Sequence, residues 1–429
     1  MPPMLQTHRR STGIGAAYRG MPLYLKILIA MLAAIPVGLV VNHATATALN
    51  QPAVVILRLL GAIAPPLILV AVVRALITAN IRGRLAGKLI FLLVLNTTVA
   101  ILIGLLVANV IRPGKHGSLP PGDLHIATGN PVNQLIENIP GSLLAPLVEN
   151  NVIGVIMIAV AIGIAARHLP AERTKMVLSA ADVAFDLIVI VLHWIIALVP
   201  LAVFGKVVFV IGTQGFTPFK ALAWFIIAVL VGLALQATYY LIRVKLGCWV
   251  RPTDLIRGTR DALVMAFSTG SSTATMPVTY ENLHHRVGIR EESASLGALV
   301  GSNFNNDGTA LYEAMSALFI SQMIGSDLNL KNQVLVVLTS IVASVGAAGI
   351  PEAGLVTMTL VFNAVGLPIG YIALLLPVDW FLDRCRTAIN VMGDMNVSCL
   401  LDGKTPPPAA ETRQEPELDA VGVGDCCGK

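Results

Sequence analysis

Between residues 379 and 394, six polar side chains interrupt apolar sequence: Asp379, Asp383, Arg386, Thr387, Asn390 and Asp394. Spacings of three and four put them on one face of a helix whose remaining positions include Trp380, Phe381, Leu382, Ala388, Ile389 and Val391. That face has the chemistry to bind a zwitterion. Arg386 offers a planar fork to a carboxylate, and Asp383 accepts hydrogen bonds from an ammonium. The same spacing also allows Arg386 to pair internally with Asp383 one turn earlier, and a soluble helix can carry such a stripe. Apolar sequence on both sides, and three acids against two arginines (Arg384 and Arg386), favour partners from elsewhere.

A second cluster lies in residues 301–313, GSNFNNDGTALYE, which carry Asn305, Asp307 and Glu313. Gly, Asn, Asp and Thr are weak helix formers, so the helix is expected to unwind locally and free carbonyl oxygens as hard ligands. Carboxylate, amide and carbonyl oxygens without thiols or imidazoles suit alkali cations better than transition metals. The cap of a surface helix would look similar. Glu313 lies about a turn and a half beyond Asp307 in more apolar sequence, and is the candidate proton carrier.

A third element is the hydroxyl-rich stretch STGSSTATMP at residues 268–277. Ser271, Ser272 and Thr273 would present hydroxyls and backbone amides at facing helix ends, where a carboxylate is favoured. Ser/Thr turns are common, so this signal gains weight only beside Arg386. Two anion binders and one cation binder together describe an acidic amino acid.

The elements that must position these groups are apolar. Of 429 residues, 55% are hydrophobic and only 12% charged, with a mean hydropathy of +0.78; soluble domains have about 25% charged residues. Bilayer-length apolar runs recur at about 23–41, 52–79, 86–111, 143–166, 177–211 and 221–247. A β-barrel would show short alternating strands instead, and a cleaved signal would have one apolar core and a small-residue site. Basic residues cluster before the first run (Arg9, Arg10, Arg19), after the second (Arg82, Arg84, Lys88), after the fourth (Arg167, Arg173, Lys175) and around the end of the sixth (Arg243, Lys245, Arg251, Arg257, Arg260). The net charge of +5 therefore reads as topology, with both termini cytoplasmic, rather than as a nucleic-acid footprint. The five cysteines (248, 385, 399, 426 and 427) form no ligand or disulfide spacing pattern.

After residue 250 the texture changes. The 268–277 stretch and a second interruption, SVGAAGIPEAG at 344–354, each join two arms too short to cross singly. Each is followed by a long segment with polar residues in its middle, about 291–325 and 370–402. Hairpin, span, hairpin, span is a pointer to a transporter binding site. The expected fold is all-α and polytopic, with eight transmembrane helices and two re-entrant helical hairpins. The first hairpin would enter from the cytoplasm and the second from outside. Residues 1–22 would be a cytoplasmic segment, and 403–429, rich in Pro, Glu and Asp, a disordered cytoplasmic tail.

Four motifs in order, SSTATMP (271–277), NNDGTALYE (305–313), GAAGIPEAG (346–354) and DWFLDRCRTAINVMGD (379–394), resemble the dicarboxylate/amino-acid:cation symporter family, which includes the glutamate and aspartate transporters of the excitatory amino acid transporter type. The resemblance is close over the last 150 residues and rests on span order before them. It implies inverted repeats, a homotrimer in the plasma membrane, a scaffold and trimerisation unit from 23–79 and 143–211, and a transport domain from 86–111 and 221–402 that moves elevator-fashion. It places substrate on Ser271, Ser272, Thr273, Thr309, Ile350, Pro351, Glu352, Ala353, Gly354, Asp383, Arg386, Thr387 and Asn390. Neutral amino-acid members lack the arginine, and C4-dicarboxylate members lack the aspartate at 383, so both together imply L-aspartate or L-glutamate.

The resemblance also implies three sodium positions: Gly301, Asn305, Asn390 and Asp394; Asn303 with Ser344, Val345 and Ala347; and Asp307 with Asn305, Asn96 and Thr97. Glu313 and Arg384 match residues of proton- and potassium-coupled relatives. This chain departs from the family at Asn96 (usually Thr or Ser), Asn303 (usually Thr) and Asn306 (usually Met), all next to the cation positions. The leading expectation is symport of acidic amino acids coupled to sodium, with a proton or potassium as further candidates. Rival readings are a C4-dicarboxylate or neutral amino-acid symporter, a channel, and a substrate-sensing receptor derived from a transporter. No nucleophile, base and orienter occur together, which argues against an enzyme.

Overall fold

The computed structural model describes residues 21–78, 84–120, 140–149, 152–346 and 353–407. Uninterrupted Leu, Ile, Val and Ala leave the backbone no partner but itself, and the described residues are almost entirely helical, without strands. In chain order the helices are α1 (Leu23–Val40), α2 (His43–Leu49), α3 (Gln51–Thr78), α4 (Arg84–Ile111), α5 (Ala145–Val148), α6 (Val152–Arg167), α7 (Ala171–Ile196), α8 (Val199–Gln214) and α9 (Thr217–Gly247). Among the described residues, four stretches are both long and apolar enough to cross a bilayer: His43–Thr78, Gly87–His116, Ala171–Ile196 and Thr217–Gly247.

One expected span is two helices. The run 177–211 breaks at Ala197 and Leu198, and α8 begins with Pro200 in its first turn. Proline has no N–H to give the preceding turn and clashes with its carbonyl, so the helix restarts there. Hydropathy continues across the break and does not reveal it. Likewise α2 fills the gap between the first two runs, capped by the Asn42 side chain, which accepts from Thr45 N at 2.9 Å.

The second half is built from broken pieces. α10 (Pro252–Thr269) and α11 (Ser272–Glu281) pack against each other, and α11 continues into a π-turn, Asn282–Val287. α12 (Glu291–Ser295), a π-turn (Leu296–Val300) and α13 (Gly301–Phe304) lead to a gap at Asn305 and Asn306, after which α14 (Asp307–Met323) resumes. α15 (Leu330–Gly346) and α16 (Ala353–Ala364) pack against each other as a second pair, and a 3₁₀ turn, Ile369–Leu374, precedes α17 (Leu376–Asp402).

Packing sorts these helices. α1, α3, α6, α7 and α8 contact one another mainly through α3 and α8, whereas α4, α9, α14 and α17 pack together with α10. Every residue of α14 is buried. α16 and the 3₁₀ turn lie against α3, where the two groups meet.

Candidate functional site

α17 carries its polar face into the bundle: Asp379, Asp383, Arg386, Thr387, Asn390 and Asp394 are all buried. The internal pairing that the spacing allowed is present. Arg386 donates to Asp379 Oδ1 at 3.0 Å and to Asp383 Oδ1 at 2.8 Å, and its guanidinium lies 4.0 Å from the centre of the Tyr312 ring. The charge is held between two carboxylates and an aromatic face, as a fully desolvated guanidinium requires. Its Nε has no hydrogen-bond partner among the described residues.

Both helix pairs bring a glycine to this face. At the end of α10, Gly270 adopts φ 65°, a left-handed conformation open to glycine, and the chain reverses into α11. The Ser271 side chain caps α11, accepting from Ala274 N at 3.1 Å. A Cβ at Gly270 would stand 3.1 Å from Asp383 Oδ2, so the first tip abuts that carboxylate. A Cβ at Gly354, near the start of α16, would stand 3.3 Å from Arg386 Nη2 and 3.2 Å from Thr309 Cγ2. The structure thus gathers Ser271, Ser272, Thr309, Gly354, Asp383, Arg386, Thr387 and Asn390 around one point, with Thr273 on the same tip. Thr387 turns its hydroxyl proton back to Asp383 O at 2.8 Å, leaving its oxygen as an acceptor. Ala347, Ile350, Pro351 and Glu352 lie outside the described residues, and of Val345 and Ala353 only the backbone is described.

The break at Asn305 and Asn306 forms where the sequence places weak helix formers, with ψ of 72° and 48°. It is tied to α17 by Asn390, whose Oδ1 accepts from Gly308 N at 2.8 Å and whose backbone oxygen accepts from Asn305 Nδ2 at 3.0 Å. Against it lies Asp394, fully buried, whose two carboxylate oxygens have no hydrogen-bond donor among the described residues; Asn305 Oδ1 has none either. Gly301 faces the same carboxylate, since a Cβ there would fall on Asp394 Oδ1. Buried acceptors with no donor among the described residues are satisfied by a proton or a cation, and this set of carboxylate, amide and carbonyl oxygens is one that fits sodium.

The other two expected cation positions are differently furnished. Asn306 Nδ2 donates to Ser344 O at 2.9 Å, and its Oδ1 accepts from Asn390 Nδ2 at 3.3 Å, so the amide bridges the broken helix to α15. Asn303 turns back to Leu299 O at 3.2 Å and does not approach Ser344 by any hydrogen bond among the described residues. Asp307 already has a donor on each oxygen, Thr97 Oγ1 at 2.7 Å and the Tyr240 hydroxyl. Glu313 accepts from the Thr357 hydroxyl, while its second oxygen has no partner among the described residues.

Tyr240, Tyr312, Thr357 and Asn396 were not singled out from the sequence, and Arg243 was read only as a topology signal. Gln236, Tyr240 and Arg243 did leave a signal: spaced four and three apart, they form a polar stripe on an otherwise apolar α9.

Buried charge on broken helices inside a bundle of apolar helices is the kind of site a membrane transporter needs. The chain belongs to the sodium:dicarboxylate symporter family, whose profile matches residues 23–404. It is thus a multi-pass membrane protein of a family whose members carry sodium with their substrate. It is 28% identical over 438 residues to the C4-dicarboxylate transport protein of Xanthomonas campestris pv. campestris (strain B100), covering 93% of this chain and 96% of that one. It is also 39% identical over 254 residues to an excitatory amino acid transporter of Caenorhabditis elegans, covering 57% and 49%, and 44% identical over 179 residues to excitatory amino acid transporter 1 of Rattus norvegicus, covering 40% and 32%.

Proposed function

We propose that the chain is a secondary active symporter of L-aspartate or L-glutamate driven by sodium. The observation that carries this reading is the buried pair of Asp383 and Arg386 at 2.8 Å, met by Gly270 at the first tip and by Gly354 in the first turn of α16. An acidic amino acid exchanges that internal pair for two external ones: its ammonium takes Asp383 and its side-chain carboxylate takes Arg386. A dicarboxylate satisfies Arg386 but strands Asp383 without a cation, and a buried charge stripped of its partner costs about 2–5 kcal/mol. The relatives that match over most of this chain are C4-dicarboxylate transport proteins, so C4-dicarboxylate transport is the second reading.

In the same reading, α10–α11 and α15–α16 are re-entrant hairpins that close over substrate. The scaffold is α1, α3, α6, α7 and α8, and the transport domain, α4 and α9–α17, moves against it within a homotrimer of the plasma membrane with cytoplasmic termini. The separate packing of those two helix groups supports this division. Glu313, buried and with one free oxygen among the described residues, is the proton carrier.

Uptake in proteoliposomes tests the reading. An inward sodium gradient should drive concentrative uptake of L-aspartate, competed by L-glutamate and weakly by succinate. Equal or better uptake of succinate would move the assignment to C4-dicarboxylates, and uptake indifferent to sodium would remove the coupling.

A further inference from the structure

The pocket around Asp307 contains a positive charge that belongs to the protein. Asp307 is fully buried, and a buried carboxylate stays ionised only where hydrogen-bond donors or a nearby cation, mobile or fixed, support it. Arg243, in the last turns of α9, turns inward rather than to the cytoplasmic loop, packs 5.3 Å from the Tyr239 ring centre, and donates from Nη1 to Asn96 Oδ1. Asn96 and Thr97 are consecutive, and Thr97 donates to Asp307 at 2.7 Å, so the guanidinium and the carboxylate are held by adjacent residues of α4.

That contact occupies the amide oxygen that would otherwise serve a mobile ion. The rest of Asn96 is committed too: Nδ2 to Asn396 Oδ1 and its backbone oxygen to Gln236 Nε2, both at 3.4 Å. Asp394 is the contrast, with two oxygens that lack donors among the described residues. A sodium ion at Asp307 would have to compete with two hydroxyl donors and meet the like charge of the neighbouring guanidinium.

We propose that Arg243 is a tethered counter-cation for Asp307, taking the place of a transported ion, so that this pocket loads no sodium during transport. Because α9 moves with α17, the charge crosses in both directions and is never released. The chain then couples to one sodium fewer than a carrier with a mobile ion in this pocket. The inference deepens the sodium-symport reading and rests on it for its physiological meaning, but the ion count can be measured without substrate.

The experiment is sodium titration of the purified full-length chain, with bound sodium counted by isothermal titration calorimetry and checked by sodium-dependent thermal stabilisation. Wild type gives one count. Arg243→Ala and Arg243→Gln should each raise it by one and make folding stability more sodium-dependent, while Arg243→Lys should keep the wild-type count. Asp307→Asn in the wild-type background should leave the count unchanged, an arm that decides the matter even if the Arg243 variants do not fold. A count that falls by one in Asp307→Asn, or does not rise in Arg243→Ala, overturns the proposal. If the counts shift as expected but wild-type proteoliposomes take up no substrate, the tethered cation stands and the symport reading fails.

Discussion

The Arg386 guanidinium stands 4.0 Å from the Tyr312 ring centre while donating to Asp379 and Asp383, so one fully buried cation is shared by an aromatic face and two carboxylates. In the proposed function, substrate recognition and the integrity of the core meet in this one side chain. A ligand carboxylate that takes Arg386 away from Asp383 must bring an ammonium to replace it. Asp379 stays behind as the second anchor.

Arg386→Cys should lower affinity for acidic substrates by roughly two to three orders of magnitude, because breaking a buried pair costs about 3–5 kcal/mol. Neutral amino acids, which still offer an ammonium to Asp383, should become better competitors. Inhibition constants for aspartate, serine and succinate against the variant check this, and an unchanged order of preference would refute the role of Arg386.

Asp394→Asn should raise the sodium concentration for half-maximal uptake by at least about tenfold, since even outer-shell changes at a metal site cost that much. The substitution keeps shape but removes the charge whose two oxygens lack donors among the described residues. With sodium saturating, the KM for substrate should move little. A sodium dependence identical to wild type would show that the ion binds elsewhere.

Much of this arrangement could be read from the sequence because the signals are local. The charged face of α17 follows from spacings of three and four, the first tip from Gly270 and the hydroxyls after it, and the gap at Asn305 and Asn306 from residues that form helices poorly. What could not be read were contacts across the chain. Tyr240 meets Asp307 from 67 residues away and Arg243 meets Asn96 from 147, and nothing local distinguishes an arginine that turns inward from one that sets topology. The break before Pro200 stayed hidden because apolar sequence runs through it on both sides.

Glu313→Gln keeps a group able to accept from Thr357 but cannot carry a proton. If Glu313 is the carrier, acidifying the outside should stimulate wild-type uptake at fixed sodium, and the variant should lose that stimulation while keeping its sodium-driven uptake. Equal stimulation in both proteins would take the proton off this residue.

At Gly308, α14 runs close against the backbone of α17. A Cβ there would lie 2.7 Å from Arg386 O and 3.0 Å from Arg386 Cα, both backbone atoms that cannot swing aside. Gly308→Ala must therefore push the broken helix off α17 or shift the backbone that carries Arg386, with an overpacking cost of about 1–3 kcal/mol. The same displacement separates Gly308 N from Asn390 Oδ1, loosening substrate and cation pockets together. Thermal unfolding of the purified protein should show the loss of stability, and the half-saturating concentrations for substrate and sodium should rise in parallel. Gly61→Ala is the control, because a Cβ on that helix has nothing within 4 Å and should leave all three quantities near wild type. A Gly308→Ala protein as stable as that control, with both half-saturations unmoved, would mean that the contact between the two helices is not what couples the pockets.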